Sequence, residues 1–365
     1  MSTDPQRGPS AAPLASFAPA ATGVGSLPGQ DMAEAVRLVM GELGERPGIP
    51  FLPELPQRGV GADMVGRGTA FLVDLYAEVQ PSGWRIADRP GRDHRRARSY
   101  LSSDLDLLEE HTQEYKGLLK IQVAGPWTLA ATVELPHGDK LLADLGAVRD
   151  VAASLAEGLR LHVEDVRKRV PGAHVIVQLD EPALPGVLRG TVRTASGFGQ
   201  LRAVEESAAR ELLRTVIDNV KAVKSPGPSS DVGTDANADA GTPVIVHCCA
   251  PDVPFTSLRD AGAAGISFDL SLMSEKYDDA LGELIEGGIL LFAGVVPTAD
   301  PAQAPQAKTL ADRVLALRRL GFDGPRVAGA VIVTPTCGLA GASPGWSRRA
   351  LKLCRDTARV LEEVD

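Results

Sequence analysis

The sequence predicts an α/β fold, a single (β/α)8 TIM barrel, on three observations. Eight short apolar runs recur along the chain. Helical patterns separate most of them. The runs are near-continuous in Val, Ile and Leu rather than alternating. Strands of that kind are buried on both faces, as parallel strands covered by helices are. Eight such units make a barrel, for which roughly 250 residues suffice. A doubly wound open sheet is the second fold that this alternation allows. It is the weaker reading, because "GVGSLPG" (23–29) lacks the third glycine of a dinucleotide fingerprint.

The elements follow in order. The first 18 residues, "MSTDPQRGPSAAPLASFA", are rich in Pro, Ala and Ser and read as a disordered tail; the barrel domain then runs over 19–365. "AATGVGSLP" (20–28) and "GIPFLPEL" (48–55) are the first two strand candidates. "LLKIQVAGP" (118–126) is the third, after a helical stretch that Ser103 could cap. "AHVIVQLDEP" (173–182) follows the helical run 145–170, and "TPVIVHCCA" (242–250) follows another over 204–223. Between that helix and its strand lies "KSPGPSSDVGTDANADAGTP" (224–243), which is nearly free of large apolar residues and reads as a disordered insertion. "AAGISFDLS" (263–271), "GGILLFAGVVP" (287–297) and "VAGAVIVTPTCG" (327–338) complete the set. A last helix opens at Ser343-Pro344.

Composition excludes several classes. The chain has 365 residues, 44% of them hydrophobic, and a formal net charge of −9, which argues against nucleic acid or an anionic membrane as partner. The basic run "RPGRDHRRAR" (89–98) is the exception; it reads as a solvated loop, with a clamp for an anionic substrate tail as the alternative. The longest apolar run has half the length of a membrane span, and the start does not resemble a signal peptide. Four cysteines, two of them adjacent, suit reduced thiols and a cytoplasmic setting rather than a disulfide framework.

Barrel chemistry sits at the C-terminal ends of the strands. Polar residues stand at those ends here: Ser26, Glu54, Trp127-Thr128 after Pro126, Asp180-Glu181, His247-Cys248-Cys249, Asp269 and Cys337. Any one of them has a bland reading, Asp180 as a helix cap or Cys337 as a small core residue. Together, His, Cys, Asp and Cys on three strands point to a metal. Side chains alternate along a strand, so His247 and Cys249 share a face and Cys248 points toward the helices. Thiolate and imidazole are zinc ligands, and dispersal over a rigid barrel suits a catalytic rather than a structural ion.

These residues carry a family resemblance. "GVGSLP" (23–28), "PELPQRGVGADMV" (53–65), "VAGPWTL" (123–129), "VQLDEPAL" (177–184), "VHCCAP" (246–251), "ISFDLS" (266–271) and "TPTCGLAG" (334–341) resemble the catalytic C-terminal barrel of the cobalamin-independent methionine synthase family, within the uroporphyrinogen decarboxylase/methionine synthase superfamily. The resemblance implies Zn2+ held by His247, Cys249, Asp269 and Cys337, with Asp269 standing where the family has Glu. It implies that Gly25 and Ser26 meet the carboxylate of a homocysteine-like amino acid, that Glu54 and Asp180 hold its ammonium, and that Trp127 lies near the pterin of methyltetrahydrofolate. No catalytic acid or base is assigned.

The implied activity is S-methyl transfer to homocysteine, with 5-methyltetrahydrofolate or a methyl-corrinoid as donor. The chain departs from the family after the seventh strand. "AGVVPTAD" (293–300) lacks the family's proton-delivering histidine, which leaves Asp300 and His137 as the first substitutes to consider. Three alternatives stand beside this reading: a corrinoid-dependent methyltransferase acting on another small thiol, a zinc hydrolase with Glu181 as base, and a non-catalytic binding barrel.

Overall fold

The computed structural model describes residues 12–223 and 241–364. Most of the expected tail (1–11) and most of the expected insertion (224–240) lie outside them. Seven strands form one parallel, curled sheet: β1 (Ala20–Ala21), β4 (Gly117–Ala124), β5 (Ala173–Asp180), β6 (Val244–His247), β7 (Gly265–Asp269), β8 (Leu290–Val296) and β9 (Val331–Pro335). Their order is β1-β9-β8-β7-β6-β5-β4. The two remaining strands, β2 (Tyr76–Gln80) and β3 (Gly83–Ala87), pair antiparallel as a separate hairpin that the apolar pattern did not indicate.

The eighth expected strand, 48–55, is not a regular strand. Pro50 and Pro53 interrupt it, and proline has no N–H to give a ladder. The segment still lies between the two edge strands. Isolated parallel bridges join Ala21 to Gly48, Ser26 to Glu54, and Phe51 to Lys120. Ile49 N donates to Ala21 O at 2.7 Å, and Lys120 N donates to Pro50 O at 2.9 Å.

Two apolar layers explain the continuous Val/Ile/Leu runs. Val175, Val177, Leu179, Val244 and Val246 pack outward under the helices. Leu118, Ile176, Ile245, Leu290, Phe292 and Ile332 fill the inside of the sheet. Leu14, wholly buried, joins that inner layer from the short helix Ala12–Ala15. Residues 12–18 are thus part of the fold rather than of a tail, because an apolar side chain covers the base of the inner layer. At the end of the other expected segment, Pro243 is tied to the sheet: its O accepts from Val177 N at 3.0 Å.

The basic run is not a loop. It enters the helix Arg92–His111, where arginine is a good helix former and Asp93 occupies the first turn. Ser103 therefore sits inside that helix instead of capping one. Ser343 does cap the last helix, Pro344–Glu362, accepting from Trp346 N at 3.1 Å. No helix among the described residues is long and apolar enough to cross a membrane.

Candidate metal and substrate site

Register brings the polar strand ends together. Asp180 of β5 lies beside His247 of β6, and His247 beside Ser267 of β7. Cys249 follows β6 by two residues, and Cys337 follows β9 by two. His247, Cys249 and Cys337 each offer a ligand atom, and the three atoms lie within 4.8 Å of one another. The two sulfurs are 3.0 Å apart. Nδ1 of His247 is 2.9 Å from Ser267 Oγ, whereas Nε2 is buried and has no hydrogen-bond partner. Cys248 faces the helices and is wholly buried in the outer apolar layer, so strand alternation holds through Cys249. Burial pushes the Cys248 thiol up to about 12. Cys337 is driven down to about 4, first by its hydrogen bond with Cys249 and against burial, and Cys249 is raised by the same bond.

A cavity of about 150 Å3 opens over this cluster. Gly25, Ser26, Glu54, Asp180, His247, Cys249 and Cys337 all line it, so seven of the nine expected site residues meet there. Gly25 is required by a close approach: a Cβ there would meet Gln122 Cγ at 2.8 Å. Gly338 packs close to Ser26, whose Oγ would have to turn aside for a Cβ there, at 2.1 Å.

Two expected residues lie elsewhere. Asp269 is not in the cluster; its Oδ1 accepts from Ser271 N at 2.8 Å and Ser271 Oγ at 2.6 Å, capping the turn that follows β7. Trp127 does not line the cavity. Its indole is buried and Nε1 donates to Ala209 O at 3.0 Å. Glu181 is also withdrawn: its carboxylate accepts from Trp127 N, Thr128 N and Thr128 Oγ1 at 2.7–3.0 Å, at the N-terminus of the helix Pro126–Thr132. A Cβ on Gly125 would strike that carboxylate at 2.4 Å.

The sequence reading missed the polar layer below the cavity. Lys120 of β4 is 0% exposed, and its Nζ donates to Val24 O at 2.9 Å and Gln122 Oε1 at 3.2 Å. Gln178 Nε2 donates to the same Val24 carbonyl at 2.8 Å and to Asp180 Oδ1 at 2.7 Å. Gln122 Nε2 reaches Leu52 O at 2.6 Å and Glu54 Oε1 at 3.2 Å. Arg67 Nε lies 3.3 Å from the same Glu54 Oε1, and Arg67 is itself tied to the buried Asp104 at 2.9 Å. Burial lowers Lys120 to about 7, with Asp180 and Glu54 opposing. Burial raises Asp180 to about 7, with His247 the largest opposing influence. The signal was present: Lys120, Gln122 and Gln178 interrupt apolar runs at the inward parity.

No family model and no curated protein matches the sequence. Solved structures do. The chain is similar to a B12-independent methionine synthase from a Shewanella species, solved in complex with selenomethionine, with a TM-score of 0.54 and 14% identity over 95% of this chain and 98% of that one. A β-mannanase from the blue mussel Mytilus edulis is a looser match, with a TM-score of 0.35 and 10% identity over 70% and 71%. The carboxyl transferase domain of Rhizobium etli pyruvate carboxylase is looser still, with a TM-score of 0.23 and 15% identity over 66% and 41%. The first likeness, extending over nearly the whole of both chains, is one of fold.

Proposed function

We propose that the chain is a zinc-dependent S-methyltransferase that transfers a methyl group to homocysteine or an equally small amino thiol. The observation that carries this is the cluster of His247, Cys249 and Cys337 at the wall of a small cavity, with the buried Nε2 of His247 left without a partner. The donor set fits zinc: one imidazole and two thiols, with a position left for a further ligand. His247, Cys249 and Cys337 would hold the ion. Bound there, zinc keeps a coordinated thiol deprotonated and therefore nucleophilic at neutral pH. The fold shared with a methionine synthase supports the same reading.

The chain's own residues do the rest. Asp180 faces the cavity with only Gln178 on its Oδ1, so it can take an ammonium group, and a cation beside it would draw its raised pKa back down. Glu54, steadied by Arg67 and Gln122, adds a second carboxylate. Gly25 and Ser26 lie at the same wall, where a carboxylate end would sit. Methyltetrahydrofolate and a methyl-corrinoid are both candidate donors. A folate donor needs a proton on its leaving nitrogen, and the nearest substitutes for the family's histidine are poorly suited: Asp300 is engaged by Ser343, and His137 is exposed. That favours the corrinoid. A zinc hydrolase using Glu181 is disfavoured, because three donors already occupy that carboxylate. Reduced thiols at the site suit the cytoplasm.

The reduced, purified chain is expected to take up about one zinc per molecule and to methylate homocysteine in preference to a thiol of similar size without an amino group. Asp180→Asn should erase much of that preference. Absence of zinc uptake, or of thiol methylation with either donor, overturns the proposal.

A further inference from the structure

The four cysteines of the chain are all free, and they fall into two classes. Cys248 and Cys354 are wholly buried in the helix-facing core. Cys249 and Cys337 are partly exposed, and both line the cavity. Their sulfurs come from opposite sides of β7 and β8, 88 residues apart in sequence, and stand 3.0 Å from each other. A disulfide requires about 2.05 Å, so a shift of about one ångström joins them. Side-chain rotation at two strand-end loops can supply that.

We propose that Cys249 and Cys337 form a reversible disulfide in the metal-free chain, making the candidate zinc site a thiol-redox switch driven by small disulfides. This rests on the proposed function for its meaning, since the two sulfurs would then be two of the metal's ligands. The oxidant is a small disulfide of the acceptor's own class, such as an oxidised amino thiol, which has the ammonium groups that Asp180 is placed to hold. The Cys337 thiol gives up its proton to solvent and attacks one sulfur of that disulfide; a Cys337 mixed disulfide forms, and one small thiolate leaves and takes up a proton in turn. The Cys249 thiol then loses its proton and attacks Cys337 Sγ. The Cys249–Cys337 bond forms, and the second small thiol departs with that proton. Two cysteines are oxidised by two electrons and one small disulfide is reduced to two thiols. Zinc on the same sulfurs blocks the exchange, and the disulfide in turn removes two of three ligands. The site is thus either metal-loaded or oxidised, and a reductant returns it to the loadable form.

The test uses the full chain, stripped of metal under reducing conditions, desalted, and exposed to homocystine. Thiol titration and non-reducing peptide mapping read the result. The expected outcome is loss of two of the four free thiols and a linked pair of peptides carrying Cys249 and Cys337, with Cys248 and Cys354 still free. The zinc-loaded chain should keep all four. Cys249→Ser should stop at a stable mixed disulfide on Cys337. The oxidised chain should refuse zinc until it is reduced. A linkage through Cys248, or no linked peptide in the metal-free chain, overturns the proposal. Zinc titration of the reduced chain is read separately. Failure there with the disulfide still forming would sink the metal reading and leave the thiol pair standing.

Discussion

Replacing Ser267 by alanine isolates the part of the site that aims the imidazole. Ser267 is 1% exposed, sits next to His247 in the β6–β7 register, and has its Oγ 2.9 Å from Nδ1. That contact fixes which ring nitrogen faces the two sulfurs. Without it the ring gains freedom, and its Nδ1 loses a buried partner. The loss of such an orienting partner costs about 10–100-fold in metal affinity, or about 1.4–2.8 kcal/mol at tenfold per 1.4 kcal/mol. The effect on folding should be smaller, about 0.5–1.5 kcal/mol for one hydrogen bond. Competition against a chromophoric zinc chelator measures the first quantity and urea unfolding of the metal-free chain the second. Unchanged zinc affinity in a normally folded Ser267→Ala protein would show that Nδ1 orientation is set elsewhere, and the reasoning from Ser267 would fall.

Three further outcomes are expected. Cys249→Ser and Cys337→Ser should each lose most of the zinc in a metal assay, whereas Cys248→Ala should retain it, because that side chain packs under the helices. Lys120→Met should destabilise the chain by about 3–5 kcal/mol, as removal of one charge from a buried group of charges does, and Lys120→Met with Asp180→Asn should recover much of that loss in urea unfolding. His162, buried against Phe71 with ring centres 4.7 Å apart, is lowered to about 3 by burial and then by Arg67 and Arg169. The unfolded chain therefore binds the extra proton first as pH falls, so this residue's contribution is lost between about pH 6.5 and 3, with a slope of up to about 1.4 kcal/mol per unit. Comparing the pH dependence of unfolding in wild type and His162→Gln isolates that slope, and identical slopes would refute it.

Much of the fold was legible because a parallel strand buried on both faces leaves an unbroken apolar run, and seven of the eight runs are strands. The eighth, 48–55, was legible in position but not in form, since its two prolines allow bridges to each neighbour and no ladder. The hairpin Tyr76–Ala87 was not legible: in "YAEVQPSGWRIA" only Ala77 and Trp84 are buried among exposed and half-buried positions, so no clean apolar face shows. At the site, alternation alone separated Cys249 from Cys248, because side-chain parity survives to the end of β6. Asp269, read by the same logic, stands outside the cluster. Its strand ends in a tight turn, and a short carboxylate there satisfies the backbone N–H two residues on before it can reach a neighbour. Trp127 was read at a strand end, whereas it already belongs to the following helix.

The inward residues of the strands follow a gradient that single-residue reading does not show. At the base stand Leu118, Ile176 and Ile245, closed off by Leu14. Two residues further along the same strands come Lys120, Gln178 and His247, and beyond them Gln122 and Asp180. Buried charge is costly unless each group has a partner. Here Glu54 has Arg67, and Arg67 with Arg58 neutralises Asp104. Asp180 has no ion pair of its own: His247 beside it and Lys120 below only oppose the effect of burial, and Lys120 spends its hydrogen bonds on Val24 O and Gln122 rather than on Asp180. On the proposed function, this incomplete pairing is what the pocket uses. The ammonium of an amino thiol supplies the missing cation at Asp180, while the thiols of Cys249 and Cys337 receive theirs from zinc. The site is therefore balanced only when both the metal and the amino thiol are bound, which is the condition under which methyl transfer to the thiol should begin.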